Sequence, residues 1–496
     1  MTELKKLYRK LVWLLAFSVL LGLSAIGLRA QASQASTPSA PQSTEQKPAP
    51  EANAQEKKIS PKEAEELFRD VDEILHFASK DSGLPIKKEV KRRLTSRDEV
   101  VAYLEKNMAE DKDAQRLRRS ELVLKKFGLL PRDFDLQTFL VGLLREQIAG
   151  YYDAKTKTVN LLDWIDVEQQ RPVLAHELTH ALQDQSIGLE KWMKVGDTDL
   201  NDKKQPTPAD VENDEISEAR QAVVEGQAMV VLVDYMLEPM GQSILGSPQI
   251  ADALKETMLV GTSDSPQFKN APIFLKEELT FPYRYGLDFE IQLLRTGGKE
   301  RAFAATLANP PRTTRQIMEP KTYLAGEQIE PMRLLDVEHD FKNYERFDIG
   351  AIGEFDVAVL VDQYAGTEAS SDLYPHWRGG YYYAARPKGN PAAPLSLVYV
   401  SRWSSPEKAS AFAAIYAQSL AKRYKQVKEV KQDDKSTPEV LQKVQFLPGT
   451  HIWLTEEGPV AIDVEGDSVL ITESLDQATT ERLRQELFGA VVAAEK

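Results

Sequence analysis

The sequence predicts an α+β protein: a mainly helical region with a small edge sheet, followed by a C-terminal α+β unit. Three observations carry that expectation. Apolar residues recur at helical spacing from residue 60 to about residue 320, the period shortens to two around residues 151–162, and strand-like runs alternate with two helical ones after about residue 340. At roughly 150 residues per domain, a chain of 496 residues allows two to four domains.

Cysteine is absent, which excludes disulfides, thiolate metal sites and cysteine nucleophiles; a metal would have to be held by histidine and carboxylate. The 62 Lys+Arg against 76 Asp+Glu give a net charge of −14. That is the wrong sign for a surface that gathers polyanions, so nucleic acid is not expected as a partner. Lys5, Lys6, Arg9 and Lys10 precede an uncharged apolar run over residues 11–28, and Ala30-Gln31-Ala32 follows as a small-x-small cleavage pattern. Residues 1–32 read as a signal peptide, with an uncleaved N-terminal anchor as the alternative; either places the remainder outside the cytoplasm, periplasmic or secreted. These residues hold five basic side chains and one acidic, so without them the net charge is −18, and the anchor is the one membrane contact expected. Residues 33–57 are mostly Ser, Ala, Gln, Pro, Thr and Glu with no large apolar side chain, and read as a disordered linker.

A helical N-terminal segment is expected over 58–140. Ser60, Pro61 and Glu63 suit the N-cap, N1 and N3 positions of a helix, and Ala64, Leu67, Val71, Ile74 and Leu75 continue it at helical spacing. His76 lies beside that stripe and is expected to pack there. Further helices fit about 97–108, 113–127 and 135–148, with Pro131 as a break. The second unit spans 141–335: Tyr151-Tyr152, a turn at 153–155 and the run 156–162 form a hairpin. Helices follow at about 172–186 and 213–238 across a polar loop, then near 284–296, 300–307 and 313–318. The third unit spans 340–496, with strands at 381–385, 395–403, 451–455, 460–464 and 468–473. Helices at 406–422 and 476–493 are expected on one face of that sheet.

Only six histidines occur, and two of them stand four residues apart in Pro172-Val-Leu-Ala-His176-Glu177-Leu-Thr-His180. On a helix that spacing puts both imidazoles on one face, about 6 Å apart along the axis. Both can reach one Zn²⁺, and Glu177 beside the first can reach water at the metal; this is the His-Glu-x-x-His pattern of zinc peptidases. Composition alone would produce it in about one such chain in a hundred. The competing reading is a pair of surface histidines. His339, His376 and His451 have no second histidine at ligand spacing and are assigned to structure or surface.

A hydrolytic zinc site needs a third protein ligand, and Glu212, Glu215, Glu218 and Glu225 are the candidates. Glu225 is preferred because residues 221–233 are apolar nearly all round, and a buried carboxylate there calls for a cation. Gly226 and Ala228 would let that helix approach the His176 helix closely. Glu218, or Asp184 one turn after His180, could accept a hydrogen bond from a ligand imidazole and orient it.

His176-Glu-Leu-Thr-His180 followed by Val224-Glu-Gly-Gln-Ala228 resembles the gluzincin clan of zinc peptidases, and most closely the peptidase-MA-like bacterial proteins. The resemblance extends from about residue 142 to 323, including Phe281-Pro-Tyr-Arg-Tyr-Gly286. It implies a zincin-like domain with a His176/His180/Glu225 zinc site and a peptide or protein substrate. It also implies a strand edge ahead of the zinc helix that pairs with extended substrate, matched by Thr158, Val159 and Asn160. Members of the clan often use a Tyr or His after the third ligand to stabilise the oxyanion; Tyr283 and Tyr285 are the matching positions, with Tyr285 preferred. The implied activity is hydrolysis of peptide bonds with Glu177 as general base. The alternatives are a non-catalytic envelope binding protein with a structural zinc site, and an enzyme held latent by its N-terminal segment.

Overall fold

The computed structural model describes residues 58–100, 102, 111–147, 150–194, 200, 205–260, 265–430 and 445–489. The expected signal peptide or anchor over 1–32 and the linker over 33–57 lie outside the described residues, as does most of the helix expected at 97–108. Among the described residues, no helix is long and apolar enough to cross a membrane.

Helix α1 (Pro61–Ser82) begins with a capping box, in which Ser60 accepts from the Glu63 amide and the Glu63 carboxylate accepts from the Ser60 amide. It ends at Gly83, whose φ of 74° suits a residue without a Cβ. Leu67, Val71, Ile74 and Ala78 form its buried stripe; His76 lies off that stripe and is exposed, so it does not pack as expected. Strand β1 (Lys91–Thr95), α2 (Asp111–Phe127) and α3 (Leu136–Gln147) follow. Strands β2 (Tyr151–Asp153) and β3 (Thr158–Leu162) form the expected hairpin, but β1 adds to β3 in parallel, giving the sheet order β1-β3-β2. β3 is therefore the central strand, and residues 58–140 are not a unit apart: β1 completes the next unit's sheet.

Helix α4 (Val167–Ile187) carries the two histidines. It starts five residues earlier than the sequence suggests, because Asp166 caps it by accepting from the Glu168 amide; Pro172 thus lies inside the helix and not at its first turn. α1 packs along α4, and Arg171 crosses that seam to Glu66 and Asp70. Helix α5 (Pro208–Leu237) opens with a second capping box, Thr207 with Asp210, and is buried nearly all round. After α6 (Pro248–Val260), helix α7 (Ile273–Glu300) runs straight through Pro282, reverses at Gly298 (φ 66°, ψ −166°) and leads into a π-helical turn, Arg301–Ala305.

α5 and α7 touch backbone to backbone. A Cβ on Gly226 would fall 2.3 Å from the carbonyl carbon and oxygen of Gly286, and one on Gly286 would fall 2.2 Å from the Ala222 carbonyl oxygen. The close approach that Gly226 allows is therefore to α7, where the sequence suggested the His176 helix.

After α8 (Thr314–Met318), the C-terminal unit is an antiparallel seven-stranded sheet. Its strands are β4 (Tyr344–Ala351), β5 (Trp377–Pro387), β6 (Ser396–Trp403), β7 (Val427–Glu429), β8 (Gly449–Thr455), β9 (Gly458–Glu465) and β10 (Ser468–Glu473), in spatial order β4-β5-β6-β10-β9-β8-β7. Alternation sorts its side chains. Leu397, Tyr399, Val469 and Ile471 pack with α9 (Glu354–Ala365) and α10 (Pro406–Arg423), while Val398, Val400 and Leu470 pack with Leu483 of α11 (Gln477–Phe488). The helices α10 and α11 thus cover opposite faces, correcting the expectation that both share one.

The end of α2 is fastened to this sheet by a buried ion pair. One guanidinium nitrogen of Arg423 reaches both oxygens of Glu473, at 2.7 and 2.8 Å, the hydroxyls of Tyr416 and Tyr424 donate to the same carboxylate, and Lys126 of α2 lies 3.6 Å from it. Leaving one partner of such a pair uncompensated costs about 3–5 kcal/mol, so Arg423→Met is expected to lower Tm clearly in thermal unfolding. Gly226→Ala forces a methyl against backbone that cannot rotate away. We expect a loss of about 3 kcal/mol, at the upper end for overpacking; an unchanged Tm would show that the two helices can part without cost.

Candidate metal centre

α4 and α5 cross where their polar side chains meet. His176 Nε2 lies 3.1 Å from Glu225 Oε2 and 3.1 Å from His180 Nε2, and His180 Nε2 lies 3.5 Å from Glu225 Oε2. Two imidazoles and a carboxylate from two helices thus converge on one point, as a metal-holding group would. Four donors set tetrahedrally at the usual Zn–N and Zn–O lengths stand about 3.3 Å apart, so the spacing fits zinc. All three side chains and Glu177 are no more than 1% exposed, which overturns the surface-histidine reading.

Of the four candidate third ligands, Glu225 alone is brought to the histidines. Glu212 pairs with Arg312 at 3.4 Å and lines a cleft together with Val211, Met332, Trp377 and Tyr381. That cleft contains none of the four buried site groups. Glu215 accepts from the amide and hydroxyl of Thr314 at 2.9 and 2.8 Å. Glu218 lies with Glu215 and Asp356 in a separate buried acidic group.

Several orienting groups differ from the expected ones. The Nδ1 of His180 meets Gln183 Oε1 at 2.8 Å, not Asp184. Asp184 points to the sheet: it accepts from the Tyr152 hydroxyl at 2.8 Å, Lys157 at 2.6 Å and the Leu189 amide at 3.0 Å. The Nδ1 of His176 has no hydrogen-bond partner, so Glu218 does not serve it either. Gln221 donates to Glu225 Oε1 at 2.8 Å, leaving Oε2 to the imidazoles. Gln183, Gln221 and Gln227 escaped the sequence reading, although a buried amide needs partners as a carboxylate does; Gln221 and Gln227 flank Glu225 in the same apolar window.

Glu177 projects toward the small sheet, where its Oε2 accepts from the Tyr152 amide at 2.7 Å and its Oε1 has no hydrogen-bond partner. Burial pushes its carboxyl up to about 8. Burial acts on Glu225 in the same direction, but the facing His180 and His176 outweigh it and hold that carboxyl at about 2.

Two further expectations fail on geometry. Thr158, Val159 and Asn160 are paired on both sides, to Lys91–Arg93 of β1 and to β2, and so offer no free edge. The outer side of β2 is what faces Glu177, through the Tyr152 amide. Tyr285 packs on Phe281 under the Arg284 guanidinium. Its phenol is raised to about 12 by burial, and the charges acting on it are Arg284, Glu277, Tyr374 and Asp288, none of them site groups. Tyr283 is the phenol beside the site, its ring centroid 6.2 Å from that of His176. Because α7 runs through Pro282, positions 283 and 285 point roughly 200° apart, and only one can face α4.

No known protein family, no curated protein and no solved structure matches the chain.

Proposed function

We propose that the chain is an exported zinc metallopeptidase of gluzincin type, with a zincin-like helical domain that hydrolyses peptide bonds. The observation that carries this is the convergence of His176 Nε2, His180 Nε2 and Glu225 Oε2 within 3.1–3.5 Å, with Glu177 next in sequence. Three protein ligands leave one zinc position for substrate or water, where a structural site would be closed by a fourth. The basic and apolar pattern of residues 1–32 supports export.

His176, His180 and Glu225 would hold the ion, with one negative charge among them. When bound, zinc supplies Lewis acidity, polarising a peptide carbonyl and acidifying water. A cation beside Glu177 would favour its carboxylate form, in which it would take the proton: the Tyr152 amide holds one of its oxygens, and the other has no hydrogen-bond partner. It then delivers that proton to the leaving amine. Tyr283 is the better placed of the two phenols to steady negative charge on the carbonyl oxygen.

The burial of all four groups favours a form that must open before it cuts, in keeping with a latent enzyme. The envelope-binding alternative leaves the open zinc position and the available Glu177 oxygen without a use.

Purified protein is expected to contain about one zinc per chain, and Glu225→Ala to lose most of it, as elemental analysis would read. Full occupancy in that variant would place the third ligand elsewhere. Glu177→Gln is expected to keep its zinc while peptide cleavage falls by at least about 10²-fold, followed by mass spectrometry on an unbiased peptide mixture. Cleavage at the unmodified rate would remove Glu177 from the chemistry.

A further inference from the structure

The two imidazoles are held differently, and the difference runs through a chain of amides to a turn in α7's continuation. Gln183 Nε2 donates to the Val224 carbonyl at 3.0 Å and to Gln227 Oε1 at 2.9 Å. Gln227 Nε2 in turn donates to the Ala302 carbonyl at 2.7 Å and the Phe303 carbonyl at 3.3 Å. Backbone carbonyls only accept, so each amide can be oriented in one way. With both nitrogens spent on carbonyls, Gln183 must present its oxygen to His180, and His180 Nδ1 must carry the hydrogen of their 2.8 Å contact. The lone pair is thereby left on Nε2, the atom that meets Glu225 and His176.

Gln183, Gln227 and His180 are fully buried, so water does not compete for these bonds. The carbonyls that end the chain belong to the π-helical turn Arg301–Ala305, a rare form that occurs mostly as single turns. His176 has no such support, its Nδ1 lacking a partner.

Resting on the metal-centre reading above, we propose that Gln183 and Gln227 are positioning residues. Together they fix the His180 tautomer from the π-helical turn, so that Nε2 stands ready as a metal donor before the ion arrives. The supports are neutral amides and not carboxylates. A carboxylate behind a ligand imidazole raises its basicity; amides orient the ring without adding charge, which keeps a bound cation more electrophilic.

The test is zinc affinity, measured by chelator competition on the full-length protein, with circular dichroism and Tm as folding controls. Gln183→Leu and Gln227→Leu are expected to weaken zinc binding by about 10–100-fold. Zinc-loaded, ¹⁵N-histidine-labelled protein is expected to show a slowly exchanging His180 Nδ1–H, lost in Gln227→Leu. Leucine variants within twofold of the unmodified affinity would overturn the proposal. Should the leucine variants fail to fold, the unmodified protein decides, since absence of the protected Nδ1–H has the same consequence. Unmodified protein that takes up no zinc sinks the metal-centre reading and this proposal together, whereas normal uptake with unaffected variants sinks this one alone.

Discussion

The arrangement of the helical region turns on one carboxylate. Glu225 is completely removed from solvent in the middle of a helix that is buried nearly all round. An isolated charge in such a place would be several kcal/mol unfavourable. It is tolerated because two imidazoles from α4 and the Gln221 amide face it. This requires α4 and α5 to cross with residues 176–180 against residue 225, and other contacts of these helices serve that crossing. Gln183 ties α4 to the Val224 carbonyl, immediately beside the carboxylate.

The glycine seam places α7 on the other side of α5. Gly226 follows Glu225 directly, so the residue that lets Gly286 approach is also the one that sets the height of the carboxylate along the seam. Pro282 and Gly298 shape α7 around this contact: the helix passes the first without ending and reverses at the second. The reversal brings Ala302 and Phe303 back to Gln227, so the continuation of α7 bears on His180 of α4 through two side chains, Gln227 and Gln183.

What could be read from the sequence was local. The His-Glu-x-x-His helix follows from spacing, and Glu225 follows from an acid in an apolar window, because a single helix's periodicity decides each. The errors concern partners distant in sequence. β3 looks like an edge until β1 arrives from about 65 residues upstream, and β1, Lys-Arg-Arg-Leu-Thr, has no apolar alternation to announce it. Asp184 lies one turn after His180, but it turns to Tyr152 and Lys157, and Gln183, about 100° away around the helix, meets the imidazole. Tyr283 and Tyr285 stand on different sides of a helix that begins at Ile273, and the one beside His176 is Tyr283, not the preferred Tyr285.

The C-terminal unit bears on the same helix from its other end. Asp214 accepts from the Ala351 amide, and Glu215 accepts from Thr314, so the first turns of α5 are held by β4 and α8 while its middle is held by α4 and α7. Rotation or sliding of α5 would break both sets of bonds at once. Glu225 has both oxygens engaged and His180 both ring nitrogens. Within the four-residue centre, the atoms without a hydrogen-bond partner are His176 Nδ1 and Glu177 Oε1. Rigid donors beside one uncommitted carboxylate oxygen are what the proposed hydrolytic site would need, because each misplacement of the donors would otherwise be added to the barrier.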